Sequence, residues 1–300
     1  MRFLVNIMQS RAHVFFALIA IIFWLVSFGP MWALENLQQH ISISITMIFG
    51  SFVAGGTALG GGAVAFPVLT KVLGIIPVEA KLFSLAIQSF GMTAASLTII
   101  CKRIPFYPRI VFFALLGAIP GTLVSLIWIS EVMPRIATKS IFSLFLLIFS
   151  VTILNFKKNI LADHSPAETN YGAIVLVGFI GGIASGLLGS GVDILLFALL
   201  VLILKKDIKK ATATSVIVMA VTSVLASTFN IAVLGNITQQ VQSYVHAAIP
   251  IVVIGAPLGA WLCARLTNQT VFNTLIVLIS LEISFTLFEV SKLFFVANSP

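Results

Sequence analysis

The chain interrupts its own hydrophobicity twice in the same way. Gly50-SFVAGGTALGGGAVAFPVL-Thr70 and Gly178-FIGGIASGLLGSGVDILLFA-Leu199 lie about 130 residues apart, and each is a glycine-punctuated break inside an apolar run. In hydrocarbon every backbone N–H and C=O must find a partner within the protein. Unwound backbone at that depth therefore persists only where protein buries it or where it lines a water-filled cavity. A duplicated break at corresponding places in two halves of a chain points to the binding site of a secondary transporter.

Composition agrees that the solvent is a bilayer. Hydrophobic residues make up 59% of the chain and charged residues 9%, against about 25% charged in a soluble domain. This excludes a soluble enzyme or binding module and predicts an all-α polytopic membrane protein. The net charge of +8 does not imply nucleic acid, because the 17 Lys and Arg are scattered through short loops between apolar spans. That distribution is what sets membrane orientation. Cys101 and Cys263 sit at the ends of apolar runs, without the spacing of a metal site or redox pair. No second His or carboxylate stands at helical spacing from His246, and neither a metal nor a cofactor is expected.

Apolar runs of spanning length cover about Val14 to Leu34, Ser84 to Cys101, Ile110 to Ile129, Ile141 to Phe156, Ala211 to Leu234, Tyr244 to Leu266 and Val271 to Phe288. The first is too long for a secretory h-region and lacks a clean cleavage site after it, so it is expected to be a retained helix. Between the runs lie two hairpins, Ile41 to Leu73 and Tyr171 to Leu204, each about 33 residues. A pair of short helices meeting at the glycines fits that length. The predicted organisation is an N-terminal helix and loop over 1–40, a first repeat over 41–156, a linker over 157–170 and a second repeat over 171–296. Each repeat is a glycine-broken hairpin followed by three spanning helices.

Offsets support the duplication. Gly60, Gly62 and Lys81 match Gly189, Gly191 and Lys210 at a shift of 129, and Gly117-AIP-Gly121 matches Gly255-APL-Gly259 at 138. If each hairpin turns back to the side it came from, 12 of the basic residues lie inside and 5 outside; if each crosses once, the split is 11 to 6. The first arrangement is favoured, and it makes the two repeats inverted.

The paired G-x-x-x-G-x-G-type breaks, Gly56-TALGGG-Ala63 followed by Phe66-Pro67 and then Gly182-IASGLLGSG-Val192, resemble the sulfite exporter TauE/SafE family of bacterial membrane permeases over about Ile45 to Phe288. The resemblance implies a multi-pass protein of the bacterial cytoplasmic membrane. It also implies export of small anions such as sulfite, sulfoacetate or related organosulfonates. The second copy departs from the first, with Ser190 for Gly61, Leu196 for Pro67 and Asp193 for Val64. An acid there sits awkwardly beside an anion site.

On the residues themselves, the substrate-binding candidates are Thr57, Gly60, Gly61 and Gly62 in the first break and Gly189, Ser190 and Gly191 in the second. Gln88, Thr214 and Ser215 join them from the helices that follow. Bare glycine backbone at a half-helix start suits an oxyanion, since exposed N–H groups and the helix dipole favour negative charge and no Cβ intervenes. The alternative is that such glycines are packing surfaces. Packing is the expected role of Gly117/Gly121 and Gly255/Gly259, and the site is that of Gly56/Gly60 and Gly182/Gly186. An ionisable residue at membrane depth is functional by default, which makes Asp193 and Glu282 the candidates for proton coupling. Asp193 also suits a helix start, and the two readings stay open. The leading function is a secondary transporter with a small anion and the bilayer as partners, and a homo-oligomer is compatible with it. A passive channel or permease and a non-transport membrane scaffold are the alternatives. No Ser/His or His/Glu constellation supports an enzyme.

Overall fold

The computed structural model describes residues 2–57, 59–130, 132–155 and 167–297. Among these there are twelve α-helices and no strands. Of the expected linker at 157–170, residues 157–166 lie outside the described residues.

The N-terminal segment is α1 (Arg2–Phe28) and α2 (Pro30–Gln39) rather than one helix. The axis turns by 98° between them. Gly29 takes φ 74°, open to glycine without strain, and Pro30 follows at the first helical position, where its missing N–H does no harm. The first hairpin is α3 (Ile41–Gly56) and α4 (Gly60–Pro67), and α4 runs on into a π turn over Val68–Val72. Then come α5 (Pro77–Cys101), α6 (Pro108–Val124) with a π turn over Ser125–Ile129, and α7 (Arg135–Asn155). The second hairpin is α8 (Tyr171–Leu188) and α9 (Val192–Ala198), the latter continued by a π turn over Leu199–Ile203. The chain closes with α10 (Ile208–Ala232), α11 (Gln239–Arg265) and α12 (Asn268–Ala297). Among the described residues five helices are long and apolar enough to cross a membrane, or six if α1 and α2 form one bent span. The expected run at 141–156 falls in α7, whose apolar part, Ser140–Asn155, is too short to count among these five.

The two hairpins share details below the level of helices. Leu73 and Ile75 donate their N–H to Val68 and Leu69; Leu204 and Lys206 donate to Leu199 and Leu200 in the same pattern. Gly74 at φ 70° is matched by Lys205 at φ 49°, a left-handed conformation that a lysine adopts with strain.

Helix contacts are also exchanged between halves. α3 packs along α11 as α8 packs along α6, α5 packs on α11 as α10 packs on α6, and α5 meets α10 directly. Both hairpin crossings are made by small residues. A Cβ on Gly55 would stand 1.8 Å from the carbonyl oxygen of Ala256, and one on Gly117 would stand 2.0 Å from that of Val175. Backbones come this close only without side chains between them.

Polar contacts sort the loops to two ends of the bundle. At one end Asn36 donates to the carbonyl of Ser243, the His40 and Tyr244 rings meet at 5.0 Å, and Thr238 donates to Glu79. At the other, the Tyr107 N–H donates to Thr214, Lys209 to the carbonyl of Leu266, and Lys206 to that of Ala167. The outer surface is apolar, with Phe23, Phe49, Ile203 and Val277 all well exposed. That is the surface of a multi-pass membrane protein rather than of a soluble one.

Candidate functional site

Each break is built by its own capping residues. α3 stops at Thr57, whose backbone turns extended and whose hydroxyl donates to the carbonyl of Val53 at 2.9 Å and accepts from the N–H of Leu59. α8 stops at Gly189 in the left-handed conformation, φ 85°, with its N–H returned to Ser185. The restart at Val192 is held by the Ser185 hydroxyl, which accepts the Val192 N–H at 2.9 Å.

The breaks meet. A Cβ on Gly60 would stand 2.1 Å from Oδ2 of Asp193 and 3.2 Å from Oε1 of Gln88. One on Gly62 would stand 2.8 Å from Nε2 of Gln88, 2.8 Å from the Ser190 Cβ and 3.0 Å from the Gly189 carbonyl oxygen. Gly61 faces Ala54 and the stem of Gln88. What lies against Gly60 and Gly62 is thus the second hairpin and α5, and no methyl group fits at either. The bare backbone serves a protein-to-protein contact in this conformation, where the sequence suggests a ligand oxygen.

Gln88 is the crosspiece. Its Nε2 donates to the Gly189 carbonyl at 2.7 Å and to the Ser84 carbonyl at 3.0 Å. Asp193 is fully buried, and its Oδ1 accepts from the Gly191 N–H at 3.1 Å, the Ile194 N–H at 3.0 Å and the Ser190 hydroxyl at 3.3 Å. Of the two readings of this acid, the helix-start role is realised by Oδ1; Oδ2 has no partner.

Gly60, Gly61, Gly62, Gln88, Gly189, Ser190, Gly191 and Asp193 therefore converge, while the Thr57 hydroxyl bonds only within its own break. Thr214 does not join them through its hydroxyl, which bonds Lys210 and Tyr107 in the loop between α5 and α6. Ser215 donates within its own helix, to Thr212. Glu282 lies in α12, with its side chain outside the described residues. Gly56 and Gly182 sit at helix crossings, facing Gly259 and Ala118, and Gly186 faces Ser125. They are packing positions, as Gly117/Gly121 and Gly255/Gly259 are.

Lys81 is the residue that sequence reasoning passed over. It appears there only as an alignment anchor, yet it is buried, and its ammonium donates to the Ser130 hydroxyl just past the π turn that ends α6. Its main chain lies against Gly189. Lys81, Ser84 and Gln88 fall at i, i+3 and i+7 on α5, one helical face, and that face looks onto the second break. The Ser84, Thr122 and Ser125 hydroxyls near this break are buried without partners. The signal available in the sequence was this spacing of polar residues after the first hairpin. A cavity of about 370 Å³ lies elsewhere, among α1, α5, α10 and α11, lined by Trp24, Phe90 and Ile249 and by no break residue.

No curated protein and no solved structure is detectably similar to this chain. The family model described as sulfite exporter TauE/SafE matches residues 43–285. That match runs from the first limb of the first hairpin into the last helix and takes in both breaks, so the chain belongs to the sulfite exporter TauE/SafE family of membrane transporters.

Proposed function

We propose that this protein carries small sulfur oxyanions, sulfite or organosulfonates such as sulfoacetate, outward across a bacterial cytoplasmic membrane. The observation that carries the reading is the meeting of two glycine breaks beside a buried lysine and the unpartnered Ser84 hydroxyl on a polar face of α5, with the unpartnered hydroxyls of Thr122 on α6 and Ser125 in its π turn. An ammonium has three N–H donors and Lys81 uses one on Ser130. The Ser84, Thr122 and Ser125 hydroxyls add further donors, and a tetrahedral or pyramidal oxyanion accepts from such a set. Because the breaks are packed shut, the site works by opening to one side and then the other, which an unobstructed channel would not need.

The two halves, 41–156 and 171–296, act in this reading as inverted repeats about the linker. The matched π turns, the exchanged helix contacts and the grouping of loops at opposite ends support it. Asp193 is the favoured carrier of a coupling proton, with Glu282 the second candidate.

Purified protein in proteoliposomes, loaded with labelled sulfite, sulfoacetate or a carboxylate of similar size and tested with and without a pH gradient, checks the reading. Efflux of the sulfur anions in preference to the carboxylate is expected. A hydrogen bond to a charged group contributes about 1.5–3 kcal/mol, so Lys81→Gln should raise the sulfite KM by roughly ten- to a hundredfold. Equal flux for every anion, or a KM indifferent to Lys81, would sink the proposal.

A further inference from the structure

The two carboxylate oxygens of Asp193 have opposite surroundings. Oδ1 is saturated by two N–H groups and a hydroxyl. Oδ2 is buried, has no partner and points across the first break toward Gly60. The position of a Gly60 Cβ lies 2.1 Å from Oδ2 and 3.2 Å from Oε1 of Gln88, so the two oxygens are no farther apart than the sum of these distances. Oε1 of Gln88 is likewise buried and without a partner.

The amide cannot be turned round to relieve this. Nε2 donates to two carbonyl oxygens, Gly189 and Ser84, and a flip would set the amide oxygen against both. Two acceptor oxygens, from different elements, thus lie on the same side of Gly60, both buried and each without a donor. An ionised carboxylate there would leave one of its two oxygens and the amide oxygen both unsatisfied, which is the expensive arrangement. One proton on Oδ2 satisfies both atoms.

We propose that Asp193 holds a proton on Oδ2 and donates it to Oε1 of Gln88, and that this acid–amide hydrogen bond pins the second hairpin to α5 and the first break, holding the site shut. Its role in transport rests on the reading above; the bond itself does not. When the pin opens, the O–H bond of Asp193 breaks, the proton passes to water admitted between the hairpins, and a carboxylate remains. The charged groups on the elements around Asp193 make the consequence directional. α3 and α4 carry no titratable residue, and α8 carries only Tyr171 in its first turn. α10 has Lys209 and Lys210 in its first turn, α7 has Arg135 and Lys139 near its start, and the π turn after α4 has Lys71. On α5, Glu79 stands at the loop end and Lys81 is buried beside the second break. With Asp193 neutral, an anion entering the seam meets the charge of Lys81 unopposed; with Asp193 ionised it meets repulsion. Proton and anion are therefore taken up together.

Infrared difference spectroscopy of the protein in nanodiscs, titrated with pH and without substrate, tests the pin. The expected result is a protonated-carboxyl C=O band that disappears on raising the pH, is absent in Asp193→Asn and shifts in Gln88→Leu. Thermal unfolding gives a second readout that tolerates imperfect folding of the Gln88 variant. In Asp193→Asn the Nδ2 group donates to Oε1 permanently, so its Tm should match the wild type at low pH and stay level as pH rises, while the wild-type Tm falls. A band that survives Asp193→Asn, no band at any pH, or parallel Tm curves would overturn the proposal. Flux driven by a pH gradient should drop at least tenfold in Asp193→Asn, and unchanged flux would remove the pin from coupling. Sulfite efflux with no carboxyl band defeats the pin alone; the band without efflux of any anion defeats the transport reading alone.

Discussion

At the scale of single residues, Gly60 and Gly62 make the same contact but for different reasons. Gly60 has φ 67°, where an L-residue costs about 1–2 kcal/mol before any collision, and its added methyl would also strike Asp193 Oδ2. Gly62 carries no such backbone demand, and its methyl meets the Gln88 amide and the Ser190 Cβ, each at 2.8 Å. Gly60→Ala is therefore expected to lower Tm more than Gly62→Ala, and both to reduce sulfite flux per folded molecule by about tenfold or more. Thermal unfolding beside proteoliposome flux measures this, and wild-type flux in folded Gly60→Ala would contradict the packed seam. Most of these residues were legible, because glycine, an acid and an amide at membrane depth are rare enough to be singled out. What they touch was not legible. Bare backbone invites a ligand and a neighbouring helix equally well, and only three-dimensional placement shows Gln88 and Asp193 filling the space. Lys81 was hidden for a related reason, since a lysine five residues into a helix that starts at a proline reads as a loop charge until its neighbours are known to bury it.

At the scale of helices, the parallel crossings of α3 with α11 and α6 with α8 are set by glycines whose missing Cβ atoms let backbone meet backbone. A Cβ on Gly259 would stand 2.1 Å from the carbonyl oxygen of Phe52, and one on Gly121 would stand 2.1 Å from that of Phe179. In lipid no hydrophobic drive holds two apolar helices together, so close van der Waals packing has to do so. Gly259→Val and Gly121→Val are expected to cut the yield of monodisperse protein in detergent severalfold. The surviving folded fraction should keep the wild-type preference among anions, which separates a packing position from a binding one. Fluorescence-detected size exclusion gives the yield, and a changed anion preference in that fraction would count against this assignment. The hairpins themselves were readable to within a residue or two, since a glycine break in a run of about 33 residues leaves few ways to fold. The bend at Gly29 was not, because an apolar run through a Gly-Pro pair still scores as one span. The π turns closing α4 and α9 had no signal in residue type at all, and they emerge from how each return limb ends against its neighbours.

At the scale of the whole molecule, the arrangement that matters is which way each hairpin faces. Ile76 follows the first hairpin, at the end where Glu79 meets Thr238, and Asn236 is exposed in the loop just before Thr238. Lys205 follows the second hairpin, and Lys102 closes α5, at the end where Tyr107 meets Thr214 and Lys206 meets Ala167. Of the described basic residues, Lys102, Arg103, Arg109, Lys205, Lys206, Lys209, Lys210 and Arg265 belong to this second end. Positive charge accumulates on the cytoplasmic side, so this end is expected to face the cytoplasm. Single cysteines at Ile76, Asn236, Lys102 and Lys205, in a background with Cys101→Ser and Cys263→Ser, turn the expectation into a measurement in intact cells. A membrane-impermeant maleimide should label the first two from outside and the last two only after permeabilisation. Labelling of Ile76→Cys and Lys205→Cys from the same side would mean that the hairpins are not inverted, and the site could no longer work by exchanging equivalent gates. The opposite result has a mechanical consequence. With one hairpin closing from each end and their breaks touching through Gln88 and Asp193, opening either side requires loosening the same seam, so both cannot open fully while the other is pinned to it.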